Sequence, residues 1–233
     1  MCTSIKRSFL SLCFIGIVAM ASCMPPNTYS LKKFESTKRD AEQGDVMEQY
    51  NLGVLYAKGD GVTQNDTEAV RWYRKAAEQG HSDAQLILGT MYDKGEGVTE
   101  NDVEAVKWFR MAAEQGDTDA QYNLGFMYAM GNGVSQNGAE AVKWFLMAAE
   151  RGHVRASYSL GALYAEGKGI PQNEAEAVKW FRRAAVRGDA DAQYNLGFMY
   201  AYGKGVPENG AEAVKWFRMA AKQGHARAFY MLN

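Results

Sequence analysis

The chain has 233 residues, of which 47% are hydrophobic and 23% charged, a globular composition with enough apolar mass for a sizeable core. The formal net charge is −1, which excludes the basic surface that a nucleic-acid partner requires.

Residues 1–22 read as a secretory signal peptide. Lys6 and Arg7 form a positive start, Phe9 to Ala21 is an apolar run too short to span a bilayer comfortably, and Ala19-Met20-Ala21 offers a small-x-small cleavage site. Removing the segment leaves 24 basic against 27 acidic groups. Met20-Ala21-Ser22-Cys23 resembles a bacterial lipobox, which implies lipidation of Cys23 and a membrane-anchored N-terminus. Met24 after the cysteine then implies the outer membrane. Plain cleavage after Ala21, giving a soluble periplasmic or secreted protein, is the other reading. Cys2 and Cys13 leave with the signal, so the mature chain holds at most one cysteine and no internal disulfide. Residues 23–30, with Pro25-Pro26, read as a short tether. Residues 31–44 read as an N-terminal capping helix, with Ser36 where later units carry Trp.

From residue 45 the sequence repeats. Asn-x-x-Glu-Ala-Val-x-Trp occurs five times, with Trp72, Trp108, Trp144, Trp180 and Trp216 spaced 36 residues apart without insertion. A strict period of this length marks a solenoid, in which each unit buries its apolar face on its neighbours. Cutting after Gly44, Gly80, Gly116, Gly152, Gly188 and Gly224 gives units 45–80, 81–116, 117–152, 153–188 and 189–224, then a partial sixth, 225–233.

Unit three shows the design. Ala120, Leu124, Met127 and Tyr128 fall at i, i+4, i+7 and i+8, the period of an amphipathic helix. Gly125 and its equivalents Gly53, Gly89, Gly161 and Gly197 sit inside that helix. Mid-helix Gly costs about 1 kcal/mol against Ala, so its repetition predicts a close helix–helix approach. A Gly-x-Gly, here Gly131-Asn132-Gly133, ends the helix as a left-handed cap. The second half opens on Asn137 with Glu140 three residues on, a capping box with Asn in the Ser/Thr place. Ala141, Trp144, Phe145, Ala148 and Ala149 then form one apolar face ending at Gly152.

This motif, Ala-Gln-Tyr-Asn-Leu-Gly-Phe-Met-Tyr…Gly-x-Gly-Val…Asn…Glu-Ala-Val-Lys-Trp-Phe…Ala-Ala…Gly, resembles the Sel1-like repeat family, a relative of the tetratricopeptide repeat. The resemblance covers 45–224. It implies an all-α fold: a right-handed α-solenoid of antiparallel helix pairs whose first helices line a concave surface.

Longer order is visible as well. Units one, three and five begin with Asp45, Asp117 and Asp189; units two, four and the stub begin with His81, His153 and His225. Units three and five share 28 of 36 residues, which points to duplication of a 72-residue pair.

No chemistry stands out. Histidines two units apart are separated by at least roughly 16–20 Å at helix-packing spacing, too far to share one metal ion. No nucleophile–base pair fits, and no cofactor is implied. Gly167-Lys168-Gly169 and Gly203-Lys204-Gly205 look like phosphate loops but lack the preceding strand and the Gly-Lys-Ser/Thr signature. By resemblance to tetratricopeptide geometry, the concave face uses positions 3, 6, 10, 13 and 14 of each unit. Units three and five there present Tyr122/Phe126/Met130 and Tyr194/Phe198/Tyr202 at i, i+4, i+8, and unit four adds Tyr158. These residues are the expected binding surface for a protein or peptide partner. The first functional reading is therefore an exported, noncatalytic interaction scaffold. The alternative is an envelope enzyme or penicillin-binding protein of weak β-lactamase type, as in cysteine-rich family members; those carry a disulfide in each repeat, and this chain has no repeat cysteine. The uncovered stub Ala228–Leu232 raises end-to-end self-association as a third possibility.

Overall fold

The structure, a computed structural model, describes residues 28–232. The signal segment, the lipobox with Cys23 and the Pro25-Pro26 stretch lie outside the described residues. Helix α1 covers Thr28–Glu42, beginning three residues inside the stretch read as tether. Five helix pairs follow: α2 (Val46–Lys58) with α3 (Asp66–Glu78), α4 (Ser82–Lys94) with α5 (Asp102–Glu114), α6 (Thr118–Met130) with α7 (Gly138–Glu150), α8 (Val154–Glu166) with α9 (Glu174–Val186), and α10 (Ala190–Ala201) with α11 (Gly210–Lys222). The short α12 (Ala226–Tyr230) closes the described chain. Each second helix packs on the first helix of its own unit and on the first helix of the next, so the core is continuous along an α-solenoid.

The mid-helix glycines have a direct cause. A Cβ on Gly125 would lie 2.7 Å from the Phe145 ring, and Gly53, Gly89, Gly161 and Gly197 face Tyr73, Phe109, Phe181 and Phe217 as closely. The aromatic of each second helix thus seats on bare backbone of the first. Trp72, Trp108, Trp144 and Trp216 are buried as core, whereas Trp180 is half-buried.

The capping box is only half formed. Asn65, Asn101, Asn137, Asn173 and Asn209 each accept the backbone N–H three residues on, as capping requires. Their own N–H groups, however, donate to Tyr56, Tyr92, Tyr128, Tyr164 and Tyr200 carbonyls of the preceding first helix. The glutamates therefore turn outward and pair with Arg71, Lys107, Lys143, Lys179 and Lys215. The first glycine of each Gly-x-Gly caps its helix left-handedly at Gly59, Gly95, Gly131 and Gly167; in unit five Tyr202 takes that place in ordinary conformation, and Gly203 follows. The second glycine has another role. A Cβ on Gly133 would sit 2.3 Å from the Asp102 carbonyl oxygen, so this residue lets the loop rest on the start of the previous second helix.

Two side-chain ladders tie one unit to the next. Arg74, Arg110 and Arg182 donate to the phenol oxygens of Tyr92, Tyr128 and Tyr200 and lie over those rings at 5.6–5.7 Å. Buried Gln49, Gln85, Gln121 and Gln193 donate to the Ala41, Ala77, Ala113 and Ala185 carbonyls across each junction at 3.0–3.2 Å. Both ladders are interrupted between units three and four, where Leu146 and Ser157 replace the Arg and the Gln.

Candidate functional site: a groove over the first helices of units three to five

The expected surface residues fall into two groups. Tyr122 and Tyr194, at position 6, are partly consumed by packing. Each ring stacks on the histidine that opens the next unit, Tyr122 on His153 at 4.7 Å and Tyr194 on His225 at 4.6 Å, and Tyr50 stacks on His81 at 4.5 Å. Each ring also meets, at a tilt, the aromatic of its own second helix, Phe145 and Phe217 for the first two. The histidines are also N-caps: Nδ1 of His81, His153 and His225 accepts the backbone N–H three residues on, as Asp117 Oδ1 does in the odd units. Each histidine thus both caps a helix and stacks on the preceding tyrosine, whereas after Tyr158 the cap is Asp189 and no such stack forms.

Nε2 of His153 and His225 contacts Asp119 and Asp191 at 3.1 and 3.2 Å. For His153, burial pushes the pKa below its ordinary value and outweighs the opposing pull of Asp119; Arg155 lowers it further. A histidine whose folded pKa is depressed supports the fold while neutral, so its contribution is present above about pH 6.5 and is lost as pH falls through the folded value. Between pH 7.5 and 5.5 the native protein is expected to lose more of its Tm than a His153→Asn variant, in which Asn keeps the cap without titrating. Equal losses would remove His153 from the titrating set.

The second group is open. Phe126, Met130 and Tyr202 are 41%, 48% and 57% exposed, and Tyr158 and Phe198 are half-buried. A cavity of about 370 Å³ lies between α6 and α8, with Tyr122, Phe126 and Met130 on one wall and Tyr158 and Ala162 on the other. A neighbouring cavity of about 350 Å³ runs between α8 and α10, sharing Tyr158 and Ala162 and bounded by Phe198. Phe198 and Tyr202 rings meet at 4.5 Å, with Lys204 over Phe198 at 5.6 Å. The structure therefore brings Tyr122, Phe126, Met130, Tyr158 and Phe198 to one groove. Tyr202 stands beside Phe198, and Tyr194 lines neither cavity.

Arg155 and Glu166, at concave positions 3 and 14 of unit four, and Lys168 also line the groove, although none is among the expected partner-binding residues. Arg155 sits at position 3 of unit four, where units two, three and five carry Asp83, Asp119 and Asp191. That departure from the pattern is the signal that could have found it. The phenol of Tyr158 is raised in pKa, first by burial, then by Asp191, against a hydrogen bond with Asn195 that lowers it. Among the described residues no cluster of His, Cys, Asp or Glu could hold a metal ion, and no helix is long and apolar enough to cross a membrane.

Comparison with known proteins agrees with this architecture. Residues 49–81, 82–117, 118–153, 154–189 and 190–225 each match the Sel1 repeat, each ending one residue later than the glycine cuts. A Sel1 repeat protein from Oxalobacter formigenes superposes with a TM-score of 0.74 at 40% identity, over 82% of this chain and 76% of that one. A protective antigen of uropathogenic Escherichia coli superposes with a TM-score of 0.81 at 40% identity, over 84% of this chain and 42% of the antigen. The secretory immunoglobulin A-binding protein EsiB of Escherichia coli is 39% identical over 71 residues, 30% of this chain and 14% of EsiB. The chain thus spans less than half the length of either Escherichia coli relative. With five in-phase repeats matched and a solved relative aligned over most of both chains, this chain belongs to the Sel1 repeat family.

Proposed function

We propose that this protein is an exported, noncatalytic scaffold that binds a peptide or protein partner in the concave groove over α6, α8 and α10. The observation that carries the reading is the groove itself: two adjoining cavities on one face, walled by Phe126, Met130, Tyr158 and Phe198 and open to solvent. Helices that are apolar on a second side and leave that side uncovered form interfaces. The name of EsiB, a secretory immunoglobulin A-binding protein, supports a protein partner as the general kind.

Lipidation of Cys23, with an outer-membrane location, completes the proposal. A Cys23→Ser variant is expected to leave the membrane fraction for the soluble one, and unchanged membrane retention would refute the anchor. The groove is tested by affinity purification of residues 23–233 from the native envelope, alongside a variant with Tyr122, Phe126, Tyr194 and Phe198 all changed to Ala and shown to be folded. A partner held by the native protein and lost at least about tenfold in the variant is the expected result, because buried aromatic anchors carry most interface energy. Equal capture by both would remove the groove from the binding surface.

A further inference from the structure

Unit four departs from its neighbours at the positions that face the groove. At positions 3, 7 and 10, units three and five carry the same residues, Asp119, Asn123 and Phe126 in one and Asp191, Asn195 and Phe198 in the other. Unit four has Arg155, Ser159 and Ala162 instead. Two of these changes remove bulk and one reverses charge. The cavity between α6 and α8 is lined by all three. It is thus a notch cut into an aromatic ridge by residue choice, with Phe126 standing on one side and Phe198 on the other. Its volume, about 370 Å³, lies at the small end of ligand pockets and suits one large side chain rather than a docked helix.

The charges at its rim are not equally available. Asp189 is spent as the N-cap of α10, accepting the Ala192 N–H at 2.7 Å, where the helix end offsets its charge. Asp191 is engaged by His225. Arg155 and Lys168 make no ion pair among the described residues, and Glu166 makes none either. The uncommitted rim groups are therefore two cations and one carboxylate, with the Arg155 fork suited to bidentate capture of a carboxylate.

We infer that the notch of unit four is the anchor socket for an extended peptide segment carrying one bulky apolar side chain next to an acidic residue, the apolar side chain entering between Phe126 and Ala162 and the carboxylate meeting Arg155. The inference rests on the groove reading above and adds the chemistry of the occupant.

The neighbouring units supply variants that should fold. Ala162→Phe places in unit four the residue that units three and five already carry, and Arg155→Asp does the same at position 3. Peptides selected from a random displayed library on residues 28–233, then synthesised and measured by fluorescence anisotropy, are expected to share a bulky apolar residue beside Asp or Glu. Ala162→Phe, with a native melting profile, is expected to weaken their binding by at least about tenfold, and Arg155→Asp by about tenfold with selection shifting toward Lys or Arg. Selected peptides with no common apolar residue, or with a basic residue beside it on the native protein, would overturn the assignment. Peptides that bind Ala162→Phe unchanged but fail on the Tyr122/Phe126/Tyr194/Phe198 alanine variant would overturn the socket and leave the groove standing. A selection that enriches nothing would overturn both.

Discussion

Gly125→Ala is expected to lower the free energy of unfolding by about 2 kcal/mol, although it improves helix propensity by about 1 kcal/mol. The sign is decided by packing. The new methyl would meet the Phe145 ring at 2.7 Å, and Phe145 is 1% exposed, held among the packed residues of the core. Either the ring leaves its rotamer or α6 and α7 separate, and overpacking of this kind costs about 1–3 kcal/mol. The measurement is a denaturant titration followed by circular dichroism. Reducing the ring in a Gly125→Ala/Phe145→Leu pair should recover part of the loss relative to the sum of the single changes, because the two sites touch. A stabilising Gly125→Ala would show that the glycine is a remnant rather than a seat. The same change at Gly53, where Tyr73 takes the place of Phe145, should have the same sign.

The pairing of helices and the reason for the mid-helix glycines were legible in the repeat, because five copies act as an internal alignment in which unvarying residues can be read as contacts. The groove was legible in part. Phe126, Met130, Tyr158 and Phe198 follow from the resemblance to tetratricopeptide geometry, and periodicity adds only that Phe126 and Met130, at i and i+4, share a face. What periodicity cannot give is which side of a given ring is already occupied. The stack of Tyr194 on His225 crosses a unit boundary and pairs residues 31 apart, so no single-helix pattern shows it. The Glu140 side chain was misplaced for a similar reason. The Asn137 N–H finds its acceptor in Tyr128 of the preceding helix, a tertiary partner that outcompetes the local capping box. Arg155, Ser159 and Ala162 carried a signal of the opposite kind, a break in the pattern, which becomes meaningful only once the shared face of α6, α8 and α10 is known.

The junction between units three and four is expected to be the weak point of the array, and repairing it should stabilise the chain by roughly 2 kcal/mol. Two side-chain contacts are missing there. Leu146 leaves the Tyr164 phenol without the arginine that serves Tyr92, Tyr128 and Tyr200. Ser157 is too short to reach across, and its hydroxyl turns back to the His153 carbonyl in its own unit. A further irregularity lies in unit three itself, on its side toward unit two: Arg151 stands where Gln79, Gln115 and Gln223 donate to Gln49, Gln85 and Gln193, it binds the Gly116 carbonyl instead, and buried Gln121 Oε1 is left without a partner. The backbone contact between units three and four differs as well, because two glycines meet there and a Cβ on Gly138 would lie 2.7 Å from the Gly169 carbonyl. A Cβ on Gly169 would meet Gly138 N at 3.1 Å, where its equivalents at Gly133 and Gly205 would meet a carbonyl oxygen at 2.3 Å. Each restored hydrogen bond contributes about 1 kcal/mol, and relief of a buried unsatisfied acceptor contributes about 1–3 kcal/mol, less the exposed bonds that Arg151 gives up. In a solenoid, stability is close to a sum of unit and nearest-neighbour interface terms, so one weak interface sets where the array divides. Hydrogen exchange is therefore expected to report faster opening of α7 and α8 than of α4 and α5 in the native chain. In a Leu146→Arg/Arg151→Gln/Ser157→Gln variant those amides should slow by about tenfold or more. Uniform exchange along the native array, or no slowing in the variant, would show that the Arg–Tyr and Gln ladders do not govern coupling between units. The position of this junction has a functional consequence, because the socket cavity lies across it: opening between units three and four changes the separation of Phe126 and Ala162. A stiffened junction should then slow both association and release of any groove ligand while the contacts themselves stay the same.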